Sequence, residues 1–172
     1  MFLNKAQLKE RIISQGLIED YLNLDIQLTP NGFDLTAGCV FEFDTAGALD
    51  FSNNERIVPA GKELSPKKKN PEDKFGWWNL KKGTYKIKTN ETVNVANDLI
   101  ALAFSRTSLL RMGCFTQHGV WDAGFKGRGE FVLVVDNPEG ISLKQNARIA
   151  QLVFAAINEI NEGYTGIYQN KR

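Results

Sequence analysis

The stretch Thr84–Phe104, TYKIKTNETVNVANDLIALAF, carries three different strand signatures in a row. In TYKIKT (Thr84–Thr89) apolar and charged residues alternate, which sends Tyr85 and Ile87 to one face and Lys86 and Lys88 to the other. TVNV (Thr92–Val95) is a second, β-branched run. In LIALAF (Leu99–Phe104) the alternation vanishes, the pattern of a strand covered on both faces. Outward from here the same signals recur. CVFEFD (Cys39–Asp44), FVLVV (Phe131–Val135), ISL (Ile141–Leu143) and RIAQLVFAAI (Arg148–Ile157) are short, rich in β-branched and aromatic residues, and bounded by Gly, Asn, Pro or Asp. Only one helix is predicted. Asn4 and Gln7 fit a capping box, and Leu8, Ile12 and Ile13 fall at helical spacing within Lys5–Ser14. The pattern predicts an all-β fold with a short N-terminal helix: a sandwich, jelly roll or barrel.

Length and composition narrow the function. A chain of 172 residues suits one domain spanning 1–172. The net charge of +1 argues against a nucleic-acid partner or a membrane-surface patch. No apolar run reaches the roughly 20 residues of a membrane span, and the opening MFLNKAQLKERIISQ is charged and helix-patterned, unlike a signal peptide. Cys39 and Cys114 form no CxxC and read as reduced thiols of a cytoplasmic protein. A single histidine and two cysteines argue against a His/Cys zinc site, so any metal is expected to be a hard ion held by oxygen through phosphate. The loop SPKKKNPEDK (Ser65–Lys74) reads better as solvated than as a phosphate patch. The tail from Asn158 is polar, with Tyr164, Ile167 and Tyr168 as anchors, a pattern that can order over a ligand or a neighbour.

Four places exceed what a plain β domain needs. In NGFDL (Asn31–Leu35), Asp34 is either a turn carboxylate or a functional one. SRTSLLRMG (Ser105–Gly113) puts Arg106, Thr107 and Ser108 where an apolar strand ends. It is either an anion site of hydroxyls, helix-end donors and a guanidinium fork, or a helix N-cap with a surface arginine. In HGVWDAGFKGRGEF (His118–Phe131), Asp122 is a turn former or a general base, with Trp121 and Phe125 available to desolvate it or to stack on a ring. His118, alone in a loop, reads as structural. In RIAQLVF (Arg148–Phe154), Gln151 is an amide inside an apolar strand, bonded to loop backbone or to a phosphate.

Taken in order, these four stretches resemble the motifs of the trimeric dUTPase and dCTP deaminase superfamily. NGFDL is similar to its first motif, SRTSLLRMG to its arginine–serine motif, GVWDAGFKG to its hairpin motif and NARIAQLVF to its fourth. The tail GYTGIYQ resembles the ending of archaeal-type members, and archaeal-type dUTPases are the nearest likeness. The resemblance implies a distorted jelly roll, a homotrimer with shared active sites, and a pyrimidine deoxynucleoside triphosphate carried with Mg²⁺. It implies dUTP hydrolysis to dUMP and diphosphate, which supplies dUMP for dTTP synthesis and keeps uracil out of DNA. Asp122 would activate the water, and Phe125 would pack on the deoxyribose. Gly119 and Trp121 would line the base and sugar site. Arg106, Thr107, Ser108 and Gln151 would meet phosphate, and Asp34 would meet the metal through water. The glycine-rich fifth motif is absent, so the tail, 158–172, would close the site, with Tyr168, Gln169 and Lys171 on the phosphates.

The deaminases of the superfamily imply the alternative. Their T-A-H-R-I-D before the hairpin and catalytic glutamate after it are replaced here by T-Q-H-G-V-W and by Val132. Glu130 lies two residues early, on the same strand face as Val132. An excess pair, Arg128-Gly129, would carry it into the glutamate's place if the pair bulged out. A third possibility is a jelly roll that binds the nucleotide without turning it over.

Overall fold

The computed structural model describes residues 1–171. Strand and helix follow one another as α1 (Lys5–Gln15), β1 (Ile18–Glu19), α2 (Leu24–Gln27), β2 (Leu28–Thr29), β3 (Gly32–Glu42), β4 (Lys62–Glu63), β5 (Trp77–Leu80), β6 (Gly83–Asn94), β7 (Leu99–Ser105), α3 (Thr107–Arg111), β8 (Cys114–Gln117), β9 (Lys126–Val135), β10 (Ile141–Lys144) and β11 (Arg148–Ala156). The α1 helix starts on the predicted capping box: Asn4 Oδ1 accepts from Gln7 N and Gln7 Oε1 accepts from Asn4 N, each at 3.0 Å. Its buried face is Leu8 and Ile12, while Ile13 is exposed. No helix among the described residues is long and apolar enough to cross a membrane.

The main sheet runs β7-β11-β3-β6-β9-β8, with β1 on β6 and β2 and β4 on β3. All of these pairings are antiparallel. The order is far from sequential, so the chain crosses repeatedly between positions, as in a jelly roll. β5 and β10 make a separate antiparallel pair. Phe33, Leu35, Ile87, Leu133, Leu152 and Phe154, drawn from four strands, are fully buried together.

Two sequence expectations are revised. TYKIKT and TVNV are one strand, β6, interrupted by a bulge. Lys88 pairs with Glu130 and Thr92 with Arg128, so Thr89, Asn90 and Glu91 oppose Gly129 alone. The extra residues therefore sit on β6, and Arg128-Gly129 does not bulge out of β9. The second face of β7 is also not covered within one chain. Leu99 and Ala101 are fully buried, but Phe104 is 56% exposed. Leu110, Phe115 and Val120 are also exposed, so β7, α3, β8 and the segment after it all present apolar side chains to the outside.

Candidate active site

The candidate residues gather in two clusters at opposite ends of β7. The first, an arginine cluster, is built where β3, β11 and the β7–α3 junction meet. Gln151 lies opposite both Asp34 on β3 and Phe104 on β7. Asp34 is 2% exposed, and its Oδ2 accepts from Arg106 Nε and Arg148 Nη1, both at 3.1 Å. Burial pushes the Asp34 carboxyl above the usual carboxylate range, and the two guanidiniums oppose that rise. Arg106 is pinned further: Nη1 donates to Arg148 O at 3.2 Å and its backbone N–H to Ile149 O at 3.1 Å. Its Nη2 keeps no hydrogen bond among the described residues, which leaves one edge of the fork for an anion.

The α3 helix begins after Arg106, and no side chain caps it. Thr107 and Ser108 therefore do not act as the N-cap, and both are exposed beside the guanidinium. Gln151 Nε2 donates to Thr29 Oγ1, so the strand amide is satisfied by a hydroxyl of β2.

The second cluster joins the hairpin to the tail. Trp121 N and O exchange 3.0 Å hydrogen bonds with Ala101, which fixes the hairpin to the start of β7. Phe125 N donates to Asp122 O at 3.1 Å, and Gly124 at the third turn position has φ +80°, the arrangement of a type II turn. Asp122 is exposed at the turn's first position. It borders a cavity of about 530 Å³ with Ile100, Ala123, Ile157, Tyr164 and Thr165.

The tail lies against this hairpin of its own chain. Tyr164 N donates to Ala123 O at 2.8 Å, Gln169 Nε2 to Gly124 O at 2.8 Å, and Lys126 N to Gln169 Oε1 at 2.8 Å. Arg128 N donates to Lys171 O at 2.9 Å. A Cβ at Gly124 would come within 2.6 Å of Gly163 Cα, so glycine is needed there for packing as well as for φ. Phe125 stands edge-on between Trp121, at 5.4 Å between centroids, and Tyr164, at 5.6 Å. Lys171 Nζ is 5.7 Å from the Tyr168 ring centroid. Arg172, the last residue of the expected tail, lies outside the described residues.

Three expected roles meet a different environment. Trp121 is 7% exposed, and its ring packs on Gly129, where a Cβ would approach within 2.4 Å. Its face belongs to the core, and its backbone is consumed by Ala101, so it cannot stack on a base. Gln169 spends both ends of its amide on the hairpin. Asp34 does not fit a carboxylate on a metal's water shell, because it is buried and committed to two arginines. No group of three or more His, Cys, Asp and Glu suited to a metal occurs among the described residues. The Mg²⁺ expected from the resemblance thus meets no cluster of ligating side chains among the described residues.

Glu130 is engaged too. It lies 3.5 Å from Lys86 Nζ and 3.9 Å from Lys88 Nζ, on the strand face it shares with Val132. His118 is largely buried, with Nε2 at 2.8 Å from Thr116 Oγ1 and its ring tilted on Phe131 at 4.1 Å. Burial pulls its pKa down to about 4. Arg148, Gln27 and Glu91 are participants that the sequence did not single out. Arg148 lay within the fourth motif, beside the more conspicuous Gln151. Glu91 offered only a weak signal, an acidic residue in the short polar break of an otherwise alternating strand.

The fold and the two clusters describe an all-β domain with a buried carboxylate–arginine cluster and a tail-covered hairpin, and the comparisons with known proteins place it in a family. A family profile described as dCTP deaminase-like matches residues 2–157, and the chain belongs to that family. Among its relatives, a probable deoxyuridine 5'-triphosphate nucleotidohydrolase of Methanosarcina mazei is 46% identical over 90% of this chain and 88% of its own. A protein of the same name from Archaeoglobus fulgidus is 39% identical over 98% of this chain and 96% of its own. The fold matches the crystal structure of 2'-deoxycytidine 5'-triphosphate deaminase from Agrobacterium tumefaciens. The TM-score is 0.62 at 16% identity, covering 89% of this chain and 47% of that one.

Proposed function

We propose that this protein is a dUTP diphosphatase, hydrolysing dUTP to dUMP and diphosphate by attack of water at the α-phosphorus. One observation carries the choice of reaction. The hairpin exposes a single carboxylate, Asp122, to the cavity it shares with the tail, while Glu130 is paired with two lysines and the next position on its face is Val132. Hydrolysis needs one base near the attacking water. Deamination also needs a carboxylate free to move protons at the base, and Glu130 is not free. The names borne by the archaeal relatives support the same choice.

In this reaction Asp122 accepts the proton of the attacking water. Gly119 and Val120, which make no backbone hydrogen bond among the described residues, offer main-chain donors and acceptors to the uracil edge. Phe125 supports the deoxyribose, with Tyr164, Tyr168 and Lys171 closing above. Arg106, Thr107 and Ser108 take the phosphate chain, with Asp34 and Arg148 holding the Arg106 fork in place. Phosphoryl transfer relies mainly on positioning and charge neutralisation, which such a set supplies. Mg²⁺ bound to the triphosphate would belong to the substrate and would supply charge neutralisation there.

Two clusters in one chain do not make one site. Trp121 pairs with Ala101, and Arg106 lies five residues further along the chain, just past the end of β7. At about 3.4 Å per residue the clusters stand roughly 17 Å apart, too far for a base at the α-phosphorus and an arginine on the same phosphate chain. The exposed apolar side chains of β7, α3 and β8 favour a homotrimer in which the arginine cluster of one subunit completes the hairpin cluster of the next.

The deciding measurement offers purified protein dUTP and dCTP side by side. Diphosphate from dUTP without ammonia from dCTP is expected, and ammonia release would overturn the assignment. Sharing is tested by mixing Asp122→Asn subunits with Arg106→Ala subunits. Each alone is inactive, and in random mixed trimers about one site in four should recover if sites are shared. No recovery would place both clusters in one subunit's site.

A further inference from the structure

Behind the arginine cluster lies a carboxylate that the reaction does not use. Glu91 is fully buried in the β6 bulge, and no lysine or arginine pairs with it among the described residues. Its partners are neutral donors. Oε2 accepts from Thr36 N at 3.0 Å, and Oε1 accepts from Thr36 Oγ1 at 2.6 Å and Gln27 Nε2 at 2.7 Å. A buried charge without a counter-ion is costly, so its hydrogen bonds must be complete for it to persist.

The geometry explains what the carboxylate replaces. Thr36 N–H points toward β6, whereas the next N–H, that of Ala37, points the other way and bonds Ala147 O, just before β11. The β3–β6 ladder resumes only at Ala37, because β6 bulges there. Glu91 fills the gap and supplies the acceptor the ladder lacks. The Gln27 amide extends the grip. The Nε2 that bonds Glu91 also donates to Asp34 O at 2.9 Å, and Oε1 accepts from Leu22 N and Asn23 N. Glu91 and Gln27 thus fix the β3 backbone at residues 34 and 36, from which Asp34 reaches forward to Arg106 and Arg148.

We propose that Glu91 is a positioning residue for the phosphate-binding half of the active site: through Thr36 and Gln27 it holds the strand that aims Asp34 at Arg106. The inference rests on the assignment of Arg106 to the phosphates. Three donors converge on Glu91, which an acceptor-only carboxylate satisfies and an amide does not. Glu91→Gln therefore misdirects the Asp34 backbone without touching the hairpin.

The test measures the two halves separately. For Glu91→Gln, KM for dUTP and the dissociation constant of inorganic tripolyphosphate should each rise roughly tenfold. The affinity for 2'-deoxyuridine should stay at the parent value, and kcat should change less than about threefold. Thr36→Val, which removes only the hydroxyl, should move in the same direction, and Thr36→Ser should behave as the parent. Unchanged tripolyphosphate affinity in a folded Glu91→Gln overturns the proposal, as does an equal loss for tripolyphosphate and deoxyuridine, which would mean general loosening. If Glu91→Gln does not fold, Thr36→Val against Thr36→Ser decides by the same titration. A parent that binds tripolyphosphate but releases no diphosphate from dUTP overturns the proposed reaction instead, and leaves the titration to judge Glu91.

Discussion

The arginine cluster and the hairpin cluster solve opposite problems. The first is carried by central strands: its carboxylate, Asp34, is buried, paired with two half-buried arginines and braced from behind by Gln27 and Glu91. The second is carried by a turn and a tail, and Asp122, the base proposed for it, is exposed, with no ion pair among the described residues. A phosphate chain needs a fixed array of positive charge, and a fixed array of charge can be stable only if it is neutralised inside the fold. A base and a lid need access and exchange of ligand, which loops permit at little cost to the fold. Activity and stability should therefore separate between the clusters.

The sharpest contrast sets Asp122→Asn against Asp34→Asn. Asp122→Asn should lower kcat by about 10²–10⁴-fold, the range of a general base, with dUTP binding retained. Because Asp122 is exposed, its thermal unfolding should stay within about 0.5 kcal/mol of the parent. Asp34→Asn removes the negative charge shared by two guanidiniums and should cost about 1–3 kcal/mol of stability, the penalty for taking the charged partner from a hydrogen-bonded group. Denaturant unfolding beside steady-state kinetics checks both. Equal stability losses would erase the distinction between the clusters.

Gly129 probes the seam between them. It is the one residue that faces the β6 bulge, its N–H donates to Thr89 Oγ1 at 3.0 Å, and the Trp121 ring fills the space where a Cβ would stand. Gly129→Ala should cost about 1–3 kcal/mol through overpacking and should shift the intrinsic fluorescence of Trp121. A neutral outcome would mean that the hairpin is held by the Ala101 pairing alone.

Much of this was legible in the sequence, and the reasons are local. Alternation in TYKIKT, the Asn4–Gln7 box and the apolar runs of β7, β9 and β11 each report short-range preferences, and each element formed where it was expected. The motif residues could be named, because each is a polar residue beside a strand end or turn or, like Gln151, inside an apolar strand. What they touch was not legible. That Asp34 faces two arginines, that Trp121 is core, and that Gln169 is spent on the hairpin all depend on strand pairings far apart in the chain. Glu91 shows the limit best: its meaning depends on a ladder gap between β3 and β6, and a bulge leaves almost no trace in composition.

The smallest expected effect belongs to His118, which stands between the clusters. Its Nε2 bonds Thr116 Oγ1, and Thr116 N donates to Ser105 Oγ at 2.8 Å, next to Arg106. Its Nδ1 is buried without a partner, so the folded protein holds the ring neutral down to a pKa of about 4. The unfolded chain titrates near the ordinary value of about 6.5. Between those values the unfolded state binds a proton that the folded state refuses, so the contribution of His118 to stability is whole above about pH 6.5 and declines as pH falls toward 4. Asp34 and Glu91, whose pKa values are raised, act in the opposite sense, losing stability as pH rises through their folded values. The His118 term must therefore be read as a difference. Melting temperatures of the parent and of His118→Gln, taken at pH 7.5 and at pH 5, should diverge at the higher pH and converge at the lower. Parallel pH dependences would show that the ring accepts its proton in the folded state, which would require an acceptor for the charged imidazole beyond Thr116.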